Sequence, residues 1–149
     1  MENEQTTTPV AAEEDYRTKY LSAAAEVENT KKRMQRRSDD AARAQKKRLL
    51  LKFLPVLDNL ERALAFRDSG ELRDGLAATL RGFEAALESE GVTPVRTTGL
   101  PFDPEVAQAI GVTPDPDAAD ETVIAESQRG FKVDDELLRP ALVVVAKNA

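Results

Sequence analysis

The sequence predicts an α+β fold, with a long helix that pairs with a second copy of the chain, a short second helix and a small antiparallel β domain. Three observations predict these parts. Residues 13–66 contain no glycine and only one proline, Pro55. Residues 72–87 carry leucine and phenylalanine at helical spacing. After Gly91, β-branched residues recur in short runs that are typical of strands.

The first helix is too long to fold back within one domain. At 1.5 Å per residue it would extend about 80 Å, whereas a compact domain of this length is about 40 Å across. The helix must therefore protrude, and a protruding amphipathic helix requires a second chain. Two seam lines follow the heptad period: Tyr20, Val27, Met34 and Ala41, and then Ala23, Thr30, Arg37 and Ala44. Because the seam is weak over 30–48, we expect this part to melt first on heating, which would suit a thermosensor.

The apolar end of the long helix and the second helix are expected to form a four-helix bundle in the dimer. The heptad phase shifts near Leu50, and Pro55 predicts a kink nearby because an interior proline removes a ladder hydrogen bond. Asp68 and Glu71 have the spacing of a capping box, and Gly91 is expected to end the second helix. The predicted dimer core consists of Leu50, Phe53, Leu54, Leu57, Leu60, Leu64, Leu76, Leu80, Phe83 and Leu87.

Four segments are predicted along the chain. They are a disordered tail at 1–12, the long helix at 13–66, the second bundle helix at 67–91 and the β domain at 92–149. Within the β domain, alternation and β-branched residues predict strands at 92–96, 122–128 and 137–147, and a strand or a short helix at 106–113.

The most specific local string in the β domain is Phe102-Asp103-Pro104. Pro104 forces Asp103 toward extended geometry, and the Asp103 carboxylate can accept hydrogen bonds from backbone amides two or three residues on. We interpret the string as a structural corner in which Phe102 is the buried anchor.

Composition argues against an enzyme. The chain has no cysteine and no histidine, which removes the usual zinc ligands, thiol nucleophiles and imidazole bases. No phosphate-binding glycine loop is present, so neither a metal nor another cofactor is expected. The apolar runs are too short to span a bilayer, and the first twelve residues lack the features of a secretory signal. A cysteine-free chain suits the reducing cytoplasm.

Charge is distributed unevenly along the chain. Residues 31–52 hold ten Lys or Arg and two Asp, a balance of +8, whereas the remainder holds 11 basic and 25 acidic residues, a balance of −14. A solvated helix face and a surface for a charged partner explain this equally well. A coiled-coil scaffold or nucleic-acid-binding protein is the alternative function. Nucleic acid is disfavoured because Ala, Gln and Asp separate the basic residues and the pI is near 4.8.

Several segments resemble the GrpE family in order and spacing over residues 15–147. They are Glu26-Val27-Glu28-Asn29 before the basic run, the segment from Phe53 to Leu64, Glu90-Gly91-Val92, Phe102-Asp103-Pro104, Gly130-Phe131 and Leu138-Arg139-Pro140-Ala141. The resemblance implies a parallel homodimer with paired long helices, a central four-helix bundle and two β-wings. It also implies a heat-shock co-chaperone that binds the ATPase domain of DnaK, holds its cleft open and lets ADP leave.

The resemblance implies two sets of site residues. The partner-binding positions are Arg62, Phe66, Lys31, Lys32, Gly91, Ser127 and Val145. The structural-motif positions are Phe102, Asp103, Pro104, Gly130, Arg139 and Pro140. Three places depart from the family's pattern: Ala107 replaces a usual histidine, Thr30 replaces a usual apolar seam residue, and Ala65-Phe66 replaces a more polar pair.

Overall fold

The structure is a computed structural model, and it describes residues 9–66 and 70–148. Within these ranges the chain forms two helices and then six strands. The helices are α1 (Pro9–Ala65) and α2 (Glu71–Ser89). The strands are β1 (Val92–Pro94), β2 (Ala107–Thr113), β3 (Val123–Gln128), β4 (Phe131–Val133), β5 (Glu136–Arg139) and β6 (Ala141–Ala146). We call residues 92–148 the wing.

Helix α1 forms because its sequence contains no glycine, and it continues through Pro55. It begins at Pro9, a residue whose fixed φ suits the first helical turn. Residues 9–12 are therefore helical, four residues earlier than predicted, and the rest of the predicted tail lies outside the described residues. The chain divides into two compact units, Met1–Gln45 and Lys46–Ala149. In the first unit, the described side chains at 9–45 are exposed except Thr30, which is half-buried.

Helix α2 begins after Gly70, which occupies the N-cap position without a side-chain hydrogen bond. The predicted capping box is therefore not the observed N-cap, and Asp68 lies outside the described residues. At the other end, Gly91 has φ 81 and donates its N–H to the carbonyl of Glu88 at 2.9 Å. This left-handed residue ends the helix as predicted.

The wing contains two three-stranded sheets, with strand orders β1-β4-β5 and β2-β6-β3. The α+β class is confirmed. One pair, β2 with β6, is parallel, so the wing is mixed rather than purely antiparallel. The strand predicted at 137–147 is divided at Pro140, because proline has no N–H to donate to a ladder. β4 was not predicted from the sequence.

Two apolar cores hold the second unit together. The first joins α1, α2 and the first sheet through Leu50, Leu54, Leu57, Leu87, Val92, Phe131, Val133 and Leu138. The second is formed by side chains of the other sheet. It consists of Ala107, Val123, Ala141, Val143 and Val145, with Phe102 packed against it.

The first core includes four residues of the predicted dimer core, Leu50, Leu54, Leu57 and Leu87. Leu54 and Leu57 have no exposed surface within a single chain, because the wing covers their side of α1. Leu50 and Leu87 retain only 7% of their surface, so these four residues are buried without a second chain, and their place in a dimer core stays a prediction. Phe53 is 46% exposed. The other predicted positions are half-buried, and their contact with a second copy stays a prediction: Leu60, Leu64, Leu76, Leu80 and Phe83.

Candidate partner-binding site at the helix–wing junction

The structure brings Arg62 and Ser127 to one cleft between α1 and β3. Arg62 lies in the last turn of α1, where a cation interacts favourably with the helix dipole, and its side chain is exposed. Ser127 is exposed on β3. The cleft has a volume of about 350 Å³ and is lined by Asp58, Glu61, Arg62, Ala65, Glu126, Ser127 and Gln128.

An exposed aromatic side chain comes next in the sequence after a residue that lines this cleft. Phe66 is 71% exposed and comes directly after Ala65, which lines the cleft. Phe66 itself does not line it. Phenylalanine and arginine are both enriched at protein interfaces, so an exposed Phe66 four positions after the exposed Arg62 suits a contact surface.

Two other predicted positions lie in the first unit. Lys31 and Lys32 belong to the part of α1 within 9–45, and both side chains are exposed. They are available to a partner.

Part of the basic segment is engaged within the second unit. The Lys46 ammonium lies 3.6 Å from an Asp134 carboxylate oxygen and 3.9 Å from Glu90, and the Lys47 ammonium lies 3.3 Å from Glu136. These lysines therefore interact with acidic residues of the same chain, which lowers the charge that 31–52 can offer to nucleic acid.

Gly91 connects α2 to the wing at a crowded point. Its φ of 81 is in the left-handed region, which glycine adopts without steric cost. A Cβ at this position would overlap the Asp134 carboxylate. Gly91 is thus required by the geometry of the junction, whether or not a partner touches it.

Val145 is largely buried within the wing. It is 7% exposed and belongs to the second core of the wing. Its position on β6 places it opposite Val112 and Val123 in the sheet. Val145 thus supports the wing from inside, and its contact with a partner, which would involve only the small exposed fraction, stays a prediction.

The structural-motif residues behave as their chemistry predicts. The Asp103 Oδ1 accepts a hydrogen bond from the Glu105 N–H at 2.9 Å, which confirms the predicted cap. Phe102 is half-buried against the second core, while Pro104 is exposed. Gly130 is buried, and a Cβ there would lie 2.5 Å from the Ala141 nitrogen, so no larger residue fits.

Arg139 fixes the wing to α1. Its Nη1 and Nη2 donate to the two carboxylate oxygens of Asp58 at 2.7 and 2.5 Å, and its Nε donates to the Arg129 carbonyl at 2.9 Å. Only 11% of the Arg139 side chain and 18% of the Asp58 side chain are exposed. All three guanidinium nitrogens are therefore used in a geometry that arginine alone provides.

A second arginine, which sequence reasoning missed, joins the wing to both helices. The Arg129 Nη1 donates to Glu61 on α1 and to Glu84 on α2, each at 2.6 Å. Burial acts to lower the pKa of Arg129, but the hydrogen bonds and charges of Glu61 and Glu84 outweigh it and leave the pKa raised. Both arginines lie over the ring of Phe131, at 5.3 Å for Arg129 and 5.5 Å for Arg139.

These features of the junction indicate the class of protein. The charged side chains at the junction are either ion-paired between elements or exposed, an arrangement that suits a surface for binding another protein. Across residues 9–66 and 70–148, no group of three metal-ligating side chains is placed to hold an ion. No helix in those ranges is both long enough and apolar enough to cross a bilayer.

Comparison with known proteins gives the family. A family model described as GrpE matches residues 2–147. The chain is 41% identical over 135 residues to protein GrpE of Syntrophobacter fumaroxidans, covering 88% of this chain and 71% of that protein. It is 36% identical over 139 residues to protein GrpE of Tetragenococcus halophilus (90% and 73% covered) and 34% identical over 140 residues to that of Shewanella halifaxensis (91% and 70% covered). The chain belongs to the GrpE family, and the predicted resemblance is confirmed. Membership implies a nucleotide exchange co-chaperone of DnaK rather than an enzyme.

Proposed function

We propose that this chain, as a homodimer, binds the ATPase domain of a DnaK-type chaperone and holds its nucleotide cleft open so that ADP leaves. Family membership supports the partner and the exchange activity. The observation that carries the proposed mode of binding is the shared cleft of Arg62 and Ser127, which joins a helix end to the wing.

The chemistry required of an exchange factor is binding alone. A ligand shifts a conformational equilibrium only by the difference in its affinity for the two states. A factor that binds the open ATPase domain more tightly than the ADP-bound form weakens ADP binding by the same factor. A rigid surface on two elements, α1 and the wing, can meet this requirement because it fits only one arrangement of the partner.

Contacts within the second unit supply that rigidity. Arg139 and Asp58 tie the wing to α1, and Arg129 ties it to both helices. The exposed side chains of Arg62, Phe66 and Ser127 are then carried on a fixed frame. Arginine and phenylalanine are expected to contribute most of the affinity, since these residue types dominate interface hot spots and central contacts.

A homodimer is supported by the exposed seam of the first unit. Tyr20, Val27 and Met34 recur at the heptad period and are 73%, 68% and 65% exposed. Large apolar side chains in a repeating line on a helix need a second helix to cover them. The polar seam residues, Thr30 and Arg37, make this pairing weak, which favours a second role for the first unit as a thermosensor.

The direct test is release of a fluorescent ADP analogue from the cognate DnaK. The chain is expected to accelerate release in a saturable manner, and protein heated until its helical signal is lost serves as the control. Absence of acceleration at saturating concentrations of folded dimer would exclude the proposal. A parallel gel-shift titration with duplex and single-stranded DNA tests the alternative, since salt-sensitive binding without an effect on DnaK would favour nucleic acid.

A further inference from the structure

Arg129 lies where both helices meet the wing. It occupies the short link between β3 and β4, and its Nη1 bridges Glu61 of α1 and Glu84 of α2. About a third of each side chain is exposed, at 29% for Arg129, 29% for Glu61 and 38% for Glu84. One nitrogen atom therefore connects three elements.

The backbone of this link is held firmly, so a displacement of Arg129 would move the wing with it. The Arg129 carbonyl accepts a hydrogen bond from Arg139, and the Gly130 carbonyl accepts one from the Val95 N–H at 2.9 Å. Gly130 lies directly against the Ala141 backbone, which leaves no room for the link to shift toward β6.

The bridge joins the helix side of the candidate site to the wing side. Glu61 directly precedes Arg62 in α1, and Ser127 lies two residues before Arg129. Arg62, Glu61 and Ser127 all line the cleft. The bridge thus sets the separation between the helix side and the wing side of the contact surface.

We infer that Arg129 is a positioning residue: its bridge to Glu61 and Glu84 fixes the wing against both helices and thereby sets the geometry of the Arg62–Ser127 cleft. Its link to nucleotide exchange rests on the function proposed above. The positioning role itself is a property of the chain alone and can be measured without a partner.

The atoms involved predict which substitutions are tolerated. Both hydrogen bonds of the bridge come from Nη1, so a lysine ammonium, which is a single-point cation, can replace it. Arg129→Lys should therefore keep the wing in place, whereas Arg129→Gln loses the charge and should loosen the wing, which Arg139 and the first core still attach to the helices. Arg139 uses three nitrogens, so Arg139→Lys should not preserve its contact.

The first measurement is a spin-label distance between α2 and the wing. The chain has no cysteine, so Ala78→Cys on α2 and Gln108→Cys on β2, both exposed, give unique label sites. Labelled full-length chain is diluted with excess unlabelled chain, so that only distances within one chain are read. We expect a narrow distribution for the parent and Arg129→Lys, and a broad one for Arg129→Gln. If Arg129→Gln does not fold, Glu84→Ala removes the α2 side of the bridge and is expected to broaden the distribution.

The second measurement separates positioning from simple loss of stability. At saturating concentrations of folded protein, Arg129→Gln should lower the maximal rate of ADP release from DnaK by about fivefold or more, and Arg129→Lys should restore it. An unchanged distance distribution in Arg129→Gln would overturn the positioning role, as would a distribution in Arg129→Lys that is as broad as that of the glutamine variant. A broad distribution with an unchanged release rate would overturn the link to exchange. Failure of the parent chain to release ADP would count against the proposed function instead.

Discussion

Arg139 on β5 and Asp58 on α1 form a two-pronged ion pair, with donor–acceptor distances of 2.7 and 2.5 Å, across 81 positions of the sequence. Both side chains are largely buried. Removing one partner of such a pair leaves the other buried charge unpaired. Even a conservative substitution of either residue is therefore expected to lower the stability of the protein.

Arg139→Lys should lower the free energy of unfolding by about 2 kcal/mol, because lysine cannot reproduce the fork or the third hydrogen bond to the Arg129 carbonyl. Urea titration followed by circular dichroism measures the change. Arg81→Lys, an exposed substitution on α2, is the matched control and should alter stability by less than about 0.5 kcal/mol. Equal stability of the two variants would contradict the role assigned to the fork.

Gly91→Ala should destabilise the protein for two separable reasons. The positive φ of 81 costs an alanine about 1–2 kcal/mol, and the new Cβ overlaps the Asp134 carboxylate. Measuring the substitution again in an Asp134→Ala background removes the overlap but keeps the backbone strain. We expect the cost to fall but not to vanish there. A neutral effect in that background would show that the left-handed conformation is not required.

Gly130→Ala should be more damaging than a change at other glycines. Its Cβ would lie 2.5 Å from the Ala141 backbone nitrogen, which cannot rotate away as a side chain can. We expect a loss of about 3 kcal/mol in the free energy of unfolding, at the upper end for overpacking.

Gly82→Ala is the matched control for this prediction. Gly82 lies inside α2, and a Cβ added there would have nothing within 4 Å, so alanine should stabilise by about 0.5–1 kcal/mol. Chemical denaturation of both variants gives the comparison. Destabilisation by Gly82→Ala would instead indicate that a second chain packs against this face of α2.

Sequence reasoning recovered the features that depend on neighbouring residues. The absence of glycine predicted α1, the Asp103 cap follows from its spacing to Glu105, and the glycine at 91 follows from helix termination. Each of these depends on residues a few positions apart, where chain geometry leaves few alternatives.

Contacts between distant residues could not be predicted in the same way. Leu54 and Leu57 occupy an apolar stripe, and a stripe does not say whether a second chain or the chain's own wing covers it. The bridge from Arg129 to Glu61 spans 68 positions and involves charged residues that look like ordinary surface groups in the sequence. The three-residue strand β4 is too short to show a period.

Arg62→Ala should weaken binding to DnaK by about 1–3 kcal/mol, while the stability of the free protein falls by no more than about 1 kcal/mol through loss of the favourable helix-dipole interaction. Its side chain is exposed and lines the cleft with Ser127, so removing it disturbs the contact surface but no core. Binding is measured by calorimetry with the isolated ATPase domain, and Arg81→Ala provides an exposed arginine outside the cleft as the control. Equal affinities for the two variants would remove Arg62 from the site.

Heating should remove the helical signal in two steps. The side chains of 9–45 are exposed apart from Thr30, so burial of apolar surface in this segment depends on its seam, whereas 46–148 has two apolar cores. We expect circular dichroism at 222 nm to show a first transition from the seam and a second from the cores.

Thr30→Leu, which places an apolar residue in the seam, should raise the first midpoint and leave the second unchanged. The first midpoint should also rise with protein concentration, since pairing of two chains is linked to mass action. A single cooperative transition that Thr30→Leu does not split or shift would argue against a separate thermosensing segment.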